Sequence, residues 1–204
     1  MRITAEEKNA TRQRIVEAAL ESFRTQGYDA TTTRDIARAA SIATGTLFNY
    51  FDTKEAIVVA LVSEALTSAH SSLPGGGETT FEEDLFGLVA AELRRLKPLR
   101  KFIAPFLERV MSPLIDVPPG GSPNTRVEHL ELVAEIVRRH GQPEISVVAL
   151  QMYWALYTGV LAFWSADQST KQEETLALLD ESINMFATWL RIAGGEANQE
   201  REPR

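Results

Sequence analysis

The 204-residue chain has no cysteine, 44% hydrophobic and 24% charged residues, and a formal charge of −7. It is long enough for one or two domains with a real core, and the missing cysteines exclude a disulfide scaffold, thiolate metal sites and thiol catalysis. The acidity is uneven: residues 1–54 carry eight Lys/Arg against seven Asp/Glu, whereas the remainder carries thirteen against twenty-one.

Helical signals follow one another along the chain, and no stretch alternates long enough to demand a strand. The first helix is expected over Thr11–Gln26, with Ile15, Ala19 and Phe23 on one stripe and Gly27 as its stop. Thr31, Thr32 and Thr33 offer N-caps for a short helix ending at Ala40. Ser41–Ala43 make a turn, and a second short helix covers Thr44–Tyr50. Thr53 caps a longer helix to about Ser71, and Leu73-Pro74-Gly75-Gly76-Gly77 is a break. Further helices are expected over Thr80–Lys97, and over Leu99–Met111 with a bend at Pro105. A Pro/Gly loop over residues 112–122 follows, then a helix opened by Ser122-Pro123 and closed at His140-Gly141. Two long helices, Pro143–Ala166 and Ser169–Ala193, end the fold, and a polar tail starts at Gly194. In the last helix Leu176, Leu179, Ile183, Phe186 and Leu190 form a packing seam. The expectation is an all-α protein of about nine helices, divided into residues 1–54 and 55–204.

The amino terminus lacks the apolar run of a secretory signal. Residues 145–166 carry no charge and could span a bilayer at about 1.5 Å per residue. Ser146, Gln151, Thr158 and Gly159 within the run, with no flanking basic cluster, favour a helix buried in an interface. The expectation is therefore a cytoplasmic protein with no membrane contact.

Residues 32–50 are the most informative. Two short helices joined by a three-residue turn and packed on a longer one make a helix-turn-helix. Ile36, Ala37, Ala40, Leu47 and Phe51 supply its core, and the second short helix exposes Thr44, Gly45, Thr46, Phe48 and Asn49 to a major groove.

This stretch resembles the tetracycline-repressor (TetR/AcrR) family of bacterial regulators. The resemblance covers roughly Arg12–Ala60. It rests on Ile15, Ala18-Ala19, Phe23, Gly27-Tyr28, Thr32-Thr33 and Ile36-Ala37, then on Gly45-Thr46-Leu47-Phe48-Asn49-Tyr50-Phe51 with Lys54-Glu55. It implies that Thr33, at a helix start, meets a phosphate and that Arg34 reaches a guanine edge. Thr44, Gly45, Thr46 and Asn49 match recognition-helix positions, where Thr44 and Asn49 can read base edges and Gly45 permits close approach. Tyr50 and Lys54 match phosphate-contacting positions. Three positions depart from the family pattern. Phe48 replaces a usual tyrosine, which removes a hydroxyl and keeps a surface for a thymine methyl. Ser41 stands for glycine, at about 1 kcal/mol if its φ is positive. Ala43 stands for serine, so the cap of the second short helix is expected to shift to Thr44. Taken singly, Thr32-Thr33 is equally a bare helix cap, Tyr50 and Phe51 are core candidates, and Lys54 can pair with Asp52 or Glu55.

The resemblance implies a homodimer through the last two helices and a palindromic double-stranded DNA operator. The residues agree with the dimer: the helix over Ile145–Trp164 is apolar nearly all round, more than one neighbouring layer covers. An apolar or aromatic small-molecule effector is expected in the second domain. Phe102, Phe106, Met152, Tyr153 and Tyr157 are candidate lining residues and Gln151 a polar handle, although each is equally core or dimer packing. No catalytic residue, metal site or cofactor is expected. His70, His129 and His140 lack ligand spacing, and Gly75-Gly76-Gly77 has neither the preceding strand nor the Lys-Ser/Thr of a phosphate loop. The expected function is a ligand-responsive DNA-binding regulator, most simply a repressor. The alternative is a small-molecule-binding helical dimer without specific DNA binding.

Overall fold

A computed structural model describes residues 4–71, 78–111, 125–141 and 145–199. Among the described residues there are nine α-helices, two 3₁₀ segments and no strand. Contacts group the chain into two compact units, one of residues 1–64 with 99–106, the other of residues 65–98 with 107–204.

The first unit starts with α1 (Ala5–Gln26). Thr4 caps it through a reciprocal box: its hydroxyl accepts from the Glu7 amide, and Glu7 accepts from the Thr4 amide at 2.8 Å. The helix therefore begins six residues before the expected Thr11. α2 (Thr33–Ala39) has the same device in Thr32 and Asp35. α3 (Thr44–Phe48) is shorter than expected, with Tyr50 outside it. Its N-cap is Ala43, which makes no side-chain cap, so the cap does not shift to Thr44. α4 (Lys54–His70) begins beside Thr53, whose hydroxyl accepts from the Ala56 amide at 3.1 Å. Residues 54–64 of α4 belong to the first unit and 65–70 to the second.

The α-helix before Pro98 stops at Leu96, as expected of a proline two residues on. A 3₁₀ segment over Lys97–Phe102 carries the chain into α6 (Ala104–Met111). Pro105 is the second residue of α6, where its missing amide costs no helical hydrogen bond, so the expected mid-helix bend has no cause. Phe102 closes the first unit's core, its ring centroid 5.3 Å from that of Phe23.

The second unit contains α5 (Phe81–Leu96), capped by Thr80 and Glu83, with α7 (Thr125–Arg139), α8 (Val147–Ala166) and α9 (Glu173–Gln199). α5 packs on α7 and α9, and α8 on α7 and α9. The expected cap at Ser122-Pro123 and the start at Pro143 lie outside the described residues. α8 begins at Val147 because Ser146 caps it, accepting from the Ala149 amide at 3.1 Å. α9 begins at Glu173, after a 3₁₀ turn over Thr170–Gln172 in which Lys171 and Gln172 have positive φ. Buried Asp167 fastens this corner, accepting from the Ser169 and Thr175 amides and from the Thr175 hydroxyl. The segment from Gly194 is helical to Gln199 rather than a tail.

α8 is the one helix among the described residues long and apolar enough to cross a membrane by length and composition. Its inner face (Tyr153, Trp154, Tyr157, Trp164) is core. Its outer face leaves Val148, Met152, Ala155, Gly159 and Phe163 exposed in one stripe. On α9, Leu179, Ile183 and Phe186 of the expected seam are consumed inside the unit. A different stripe, Leu178, Met185 and Ile192, faces outward.

Candidate nucleic-acid interface

Three hydrogen bonds shape the bend between α2 and α3. The Ser41 amide donates to the Arg38 carbonyl at 3.1 Å, the Ile42 amide to the Ala37 carbonyl at 3.0 Å, and the Ala40 amide to the Ile36 carbonyl at 2.8 Å. The first two are the paired bonds of a Schellman ending, which places the residue after the C-cap in the left-handed region. That residue is Ser41, with φ 56°. Serine bears the expected cost of about 1 kcal/mol where glycine would not.

α3 is held from beneath. Leu47 is fully buried, and the Tyr50 and Phe51 amides donate to its carbonyl at 2.9 and 3.0 Å. The opposite side is open. Gly45, Phe48 and Asn49 are exposed, Phe48 at 46%, and Thr44 and Thr46 are half-buried. A Cβ placed on Gly45 meets nothing within 4 Å, so no packing in the chain requires glycine there. Phe51 is core, whereas Tyr50 is half-buried. Arg34 is exposed and makes no ion pair among the described residues, in contrast to Arg38, which bonds Asp35 at 3.1 Å. Thr33 is half-buried at the start of α2. Hydrogen bonds from Thr32 hold the Asp35 carboxyl below its ordinary range, so this cap is anionic.

Lys54 pairs with neither Asp52 nor Glu55. Its ammonium donates to the Tyr28 carbonyl at 2.7 Å and the Thr31 carbonyl at 3.1 Å, and lies 4.0 Å from the Tyr28 ring centroid. One of three N–H groups is left for a phosphate. Tyr28 in turn donates its hydroxyl to Glu55 at 2.9 Å. Lys54 therefore ties α4 to the loop before α2, and through it sets the pose of the helix-turn-helix.

The candidate effector residues are divided between the two units. Phe102 and Phe106 belong to the first unit. Met152 is 39% exposed and Gln151 is held by Arg126 on the surface. Tyr153 and Tyr157 alone are buried together in the second unit. An apolar cavity of about 10 Å³ beside them, lined also by Val89, Val160 and Leu179, has room for one water.

Residue spacing also missed a cluster. His70 and His129 lie far apart in sequence, yet both meet Glu92. His70 Nε2 is 2.6 Å and His129 Nδ1 2.7 Å from Glu92 Oε1. Burial pushes this carboxyl up, but the two imidazoles outweigh it and hold it at about 2. Burial first, and the Glu92 charge second, raise the Tyr153 and Tyr157 hydroxyls well above the usual range.

Residues 15–61 match the family described as bacterial regulatory proteins, tetR family. The HTH-type transcriptional regulator YvkB of Bacillus subtilis is 40% identical over 76 residues, 37% of this chain and 38% of that protein. The HTH-type transcriptional regulator TtgR of Pseudomonas putida is 36% identical over 87 residues, 43% of this chain and 41% of that one. The chain thus spans about two fifths of the length of these curated relatives. Among solved structures, the Thermus thermophilus FadR complex with lauroyl-CoA, a TetR family repressor, superposes with a TM-score of 0.63 at 23% identity. That match covers 86% of this chain and 93% of the other. These relatives are named as regulators, in keeping with the expectation that the chain is not an enzyme.

Proposed function

We propose that the chain, whose residues 15–61 match the tetR family of bacterial regulatory proteins, is a cytoplasmic, ligand-responsive repressor that binds a palindromic DNA operator as a homodimer. The observation that carries the reading is the open face of α3 set on a buried Leu47. A short helix braced on one side and bare on the other suits insertion into a major groove.

In this reading residues 1–54 form the DNA-reading head. Thr44, Thr46, Phe48 and Asn49 face base edges, and Gly45 allows the backbone close to them. Arg34 reads a guanine from the start of α2, and Thr33 and Tyr50 hold phosphates. Lys54 acts chiefly by positioning, with one N–H for the backbone. A head with one excess positive charge binds DNA weakly on its own, so affinity depends on two heads docking at once.

The partner surface is formed by α8 and α9. The stripes Val148–Met152–Phe163 and Leu178–Met185–Ile192 are apolar and exposed in the single chain, and a two-fold axis would bury both isologously. The effector, small and apolar or aromatic, enters residues 55–204 and opens the space beside Tyr153 and Tyr157. Its binding shifts α4, which changes the spacing of the two heads away from about 34–36 Å or its multiple and releases the operator.

The test is a gel shift at several salt concentrations on DNA upstream of the gene. Sequence-specific binding that drops by about 1–3 kcal/mol in Arg34→Ala supports the reading. Binding indifferent to sequence, or unaffected by Arg34→Ala, overturns it and favours a small-molecule-binding dimer.

A further inference from the structure

The His70–Glu92–His129 cluster has no part in DNA reading. α4, α5 and α7 each contribute one residue, and the candidate ligand atoms lie within 4.8 Å of one another. Both imidazole nitrogens aim at one oxygen, Glu92 Oε1. The other oxygen, Glu92 Oε2, is buried without a hydrogen-bond partner, and so is the Tyr157 hydroxyl. Buried polar atoms are nearly always satisfied, and the Tyr157 hydroxyl is close enough to Glu92 to feel its carboxylate without completing a hydrogen bond, so the unpaired Oε2 is the atom that calls for a ligand. We propose that His70, Glu92 and His129 bind one divalent transition-metal ion of the zinc, cobalt or nickel class.

The donor set selects that class. Imidazole nitrogens with one carboxylate suit these borderline ions, whereas magnesium and calcium take oxygen ligands. Three protein ligands leave a further coordination position open, as in catalytic or exchangeable zinc sites rather than closed structural ones.

The surroundings are those a metal ligand needs. His129 coordinates through Nδ1, and its Nε2 lies 3.1 Å from the Tyr153 hydroxyl, which accepts the remaining N–H and fixes the ring. The Tyr157 ring stacks on the imidazole with centroids 4.1 Å apart. With metal–ligand bonds of about 2.0–2.2 Å, tetrahedral ligand atoms sit about 3.3 Å apart. The nitrogen–oxygen separations must therefore open by about 0.6 Å. His70 is the last residue of α4 and can yield that much. It also lines an open groove of about 600 Å³ together with Glu128, Glu131, Glu135 and Arg138. Arg138 neutralises Glu135 at 2.6 Å, so Glu128 and Glu131 are the carboxylates that favour an approaching cation. Binding displaces any protons shared between the imidazoles and Glu92.

The proposal stands whether or not the chain reads DNA, and metal binding tests it directly. Full-length protein stripped with a chelator is titrated with Zn²⁺ and with Co²⁺, following heat, visible absorption of Co²⁺ and metal content after gel filtration. One ion per chain is expected, with visible Co²⁺ bands of a four- or five-coordinate nitrogen–oxygen site. His70→Ala abolishes binding and His140→Ala leaves it intact. Tyr153→Phe, which removes only the hydroxyl that accepts from His129 and keeps the ring, weakens it roughly 10–100-fold, so a misfolded His70 variant does not spare the idea. Absence of stoichiometric binding overturns the proposal. So does affinity unchanged by both His70→Ala and Tyr153→Phe, or lost in His140→Ala.

Discussion

Gly45→Ala separates folding from recognition. The added Cβ meets nothing within 4 Å, and Gly45 has no positive φ. Replacing a helical glycine by alanine gains about 0.5–1 kcal/mol. Gly45 is the second residue of a five-residue helix, so half of the upper value, about 0.5 kcal/mol, is expected. For a chain of this size that raises Tm by about 1–2 °C. On DNA the same methyl group stands where the backbone is to approach. Holding α3 off by about 1.5 Å loosens the hydrogen bonds of Thr44 and Asn49, and a well-made base contact is worth about 1–3 kcal/mol. A loss of about 1.4 kcal/mol in each of two heads is about a hundredfold in operator affinity. A thermal melt and fluorescence anisotropy on labelled upstream DNA, at one salt concentration, measure both. A fall in Tm refutes the open Cβ position, and affinity within twofold of wild type refutes close approach at Gly45.

Lys54→Met leaves the Tyr28 and Thr31 carbonyls without their charged donor and removes the ammonium from the Tyr28 ring. Urea unfolding is expected to show a loss of about 1–3 kcal/mol, and no change would make Lys54 a surface residue. Phe163→Glu places a carboxylate in the exposed stripe of α8 and, in the proposed two-fold dimer, two in the interface. Sedimentation is expected to show monomers with little change in Tm, whereas an intact dimer rejects that surface. Burial raises the Asp84 carboxyl, but His140, Thr79 and Arg139 outweigh it and keep it below 3.8. A depressed folded value gives stability that is present above pH 3.8 and lost as pH falls through the folded value. Asp84→Asn should flatten the acid side of the stability profile, and an unaltered profile would show Asp84 has no linkage.

Local signals were legible and long-range ones were not. Capping and turn chemistry read from single residues located α2, α4, α5 and the left-handed Ser41 to within a residue or so. The start of α1 was written in the sequence too, as Thr4 and Glu7 three apart, but the charged first turn hides it from a search for apolar stripes. Of the α3 face expected from helical period once Leu47 was taken as core, Gly45, Phe48 and Asn49 are exposed, whereas Thr44 and Thr46 are half-buried. By contrast, ligand-spacing rules detect side chains on one helix. Glu92 is 22 residues from His70 and 37 from His129, so only the packing of three helices brings them together. The division of the effector candidates between two units was hidden for a related reason. Aromatic content does not say which packed unit a side chain joins, and Phe102 joined Phe23.

The brevity of α3 has a consequence for how the head fails. Five residues without a side-chain cap are far below the length at which a helix persists in water. The reading surface thus has no independent existence: it is present while Leu47 stays seated and gone when it leaves. Partial fraying, which would offer DNA a blurred set of side chains, is not an available state. Mutations in the core beneath α3 should therefore lower the fraction of molecules able to bind, while every molecule that still binds keeps the same sequence preference.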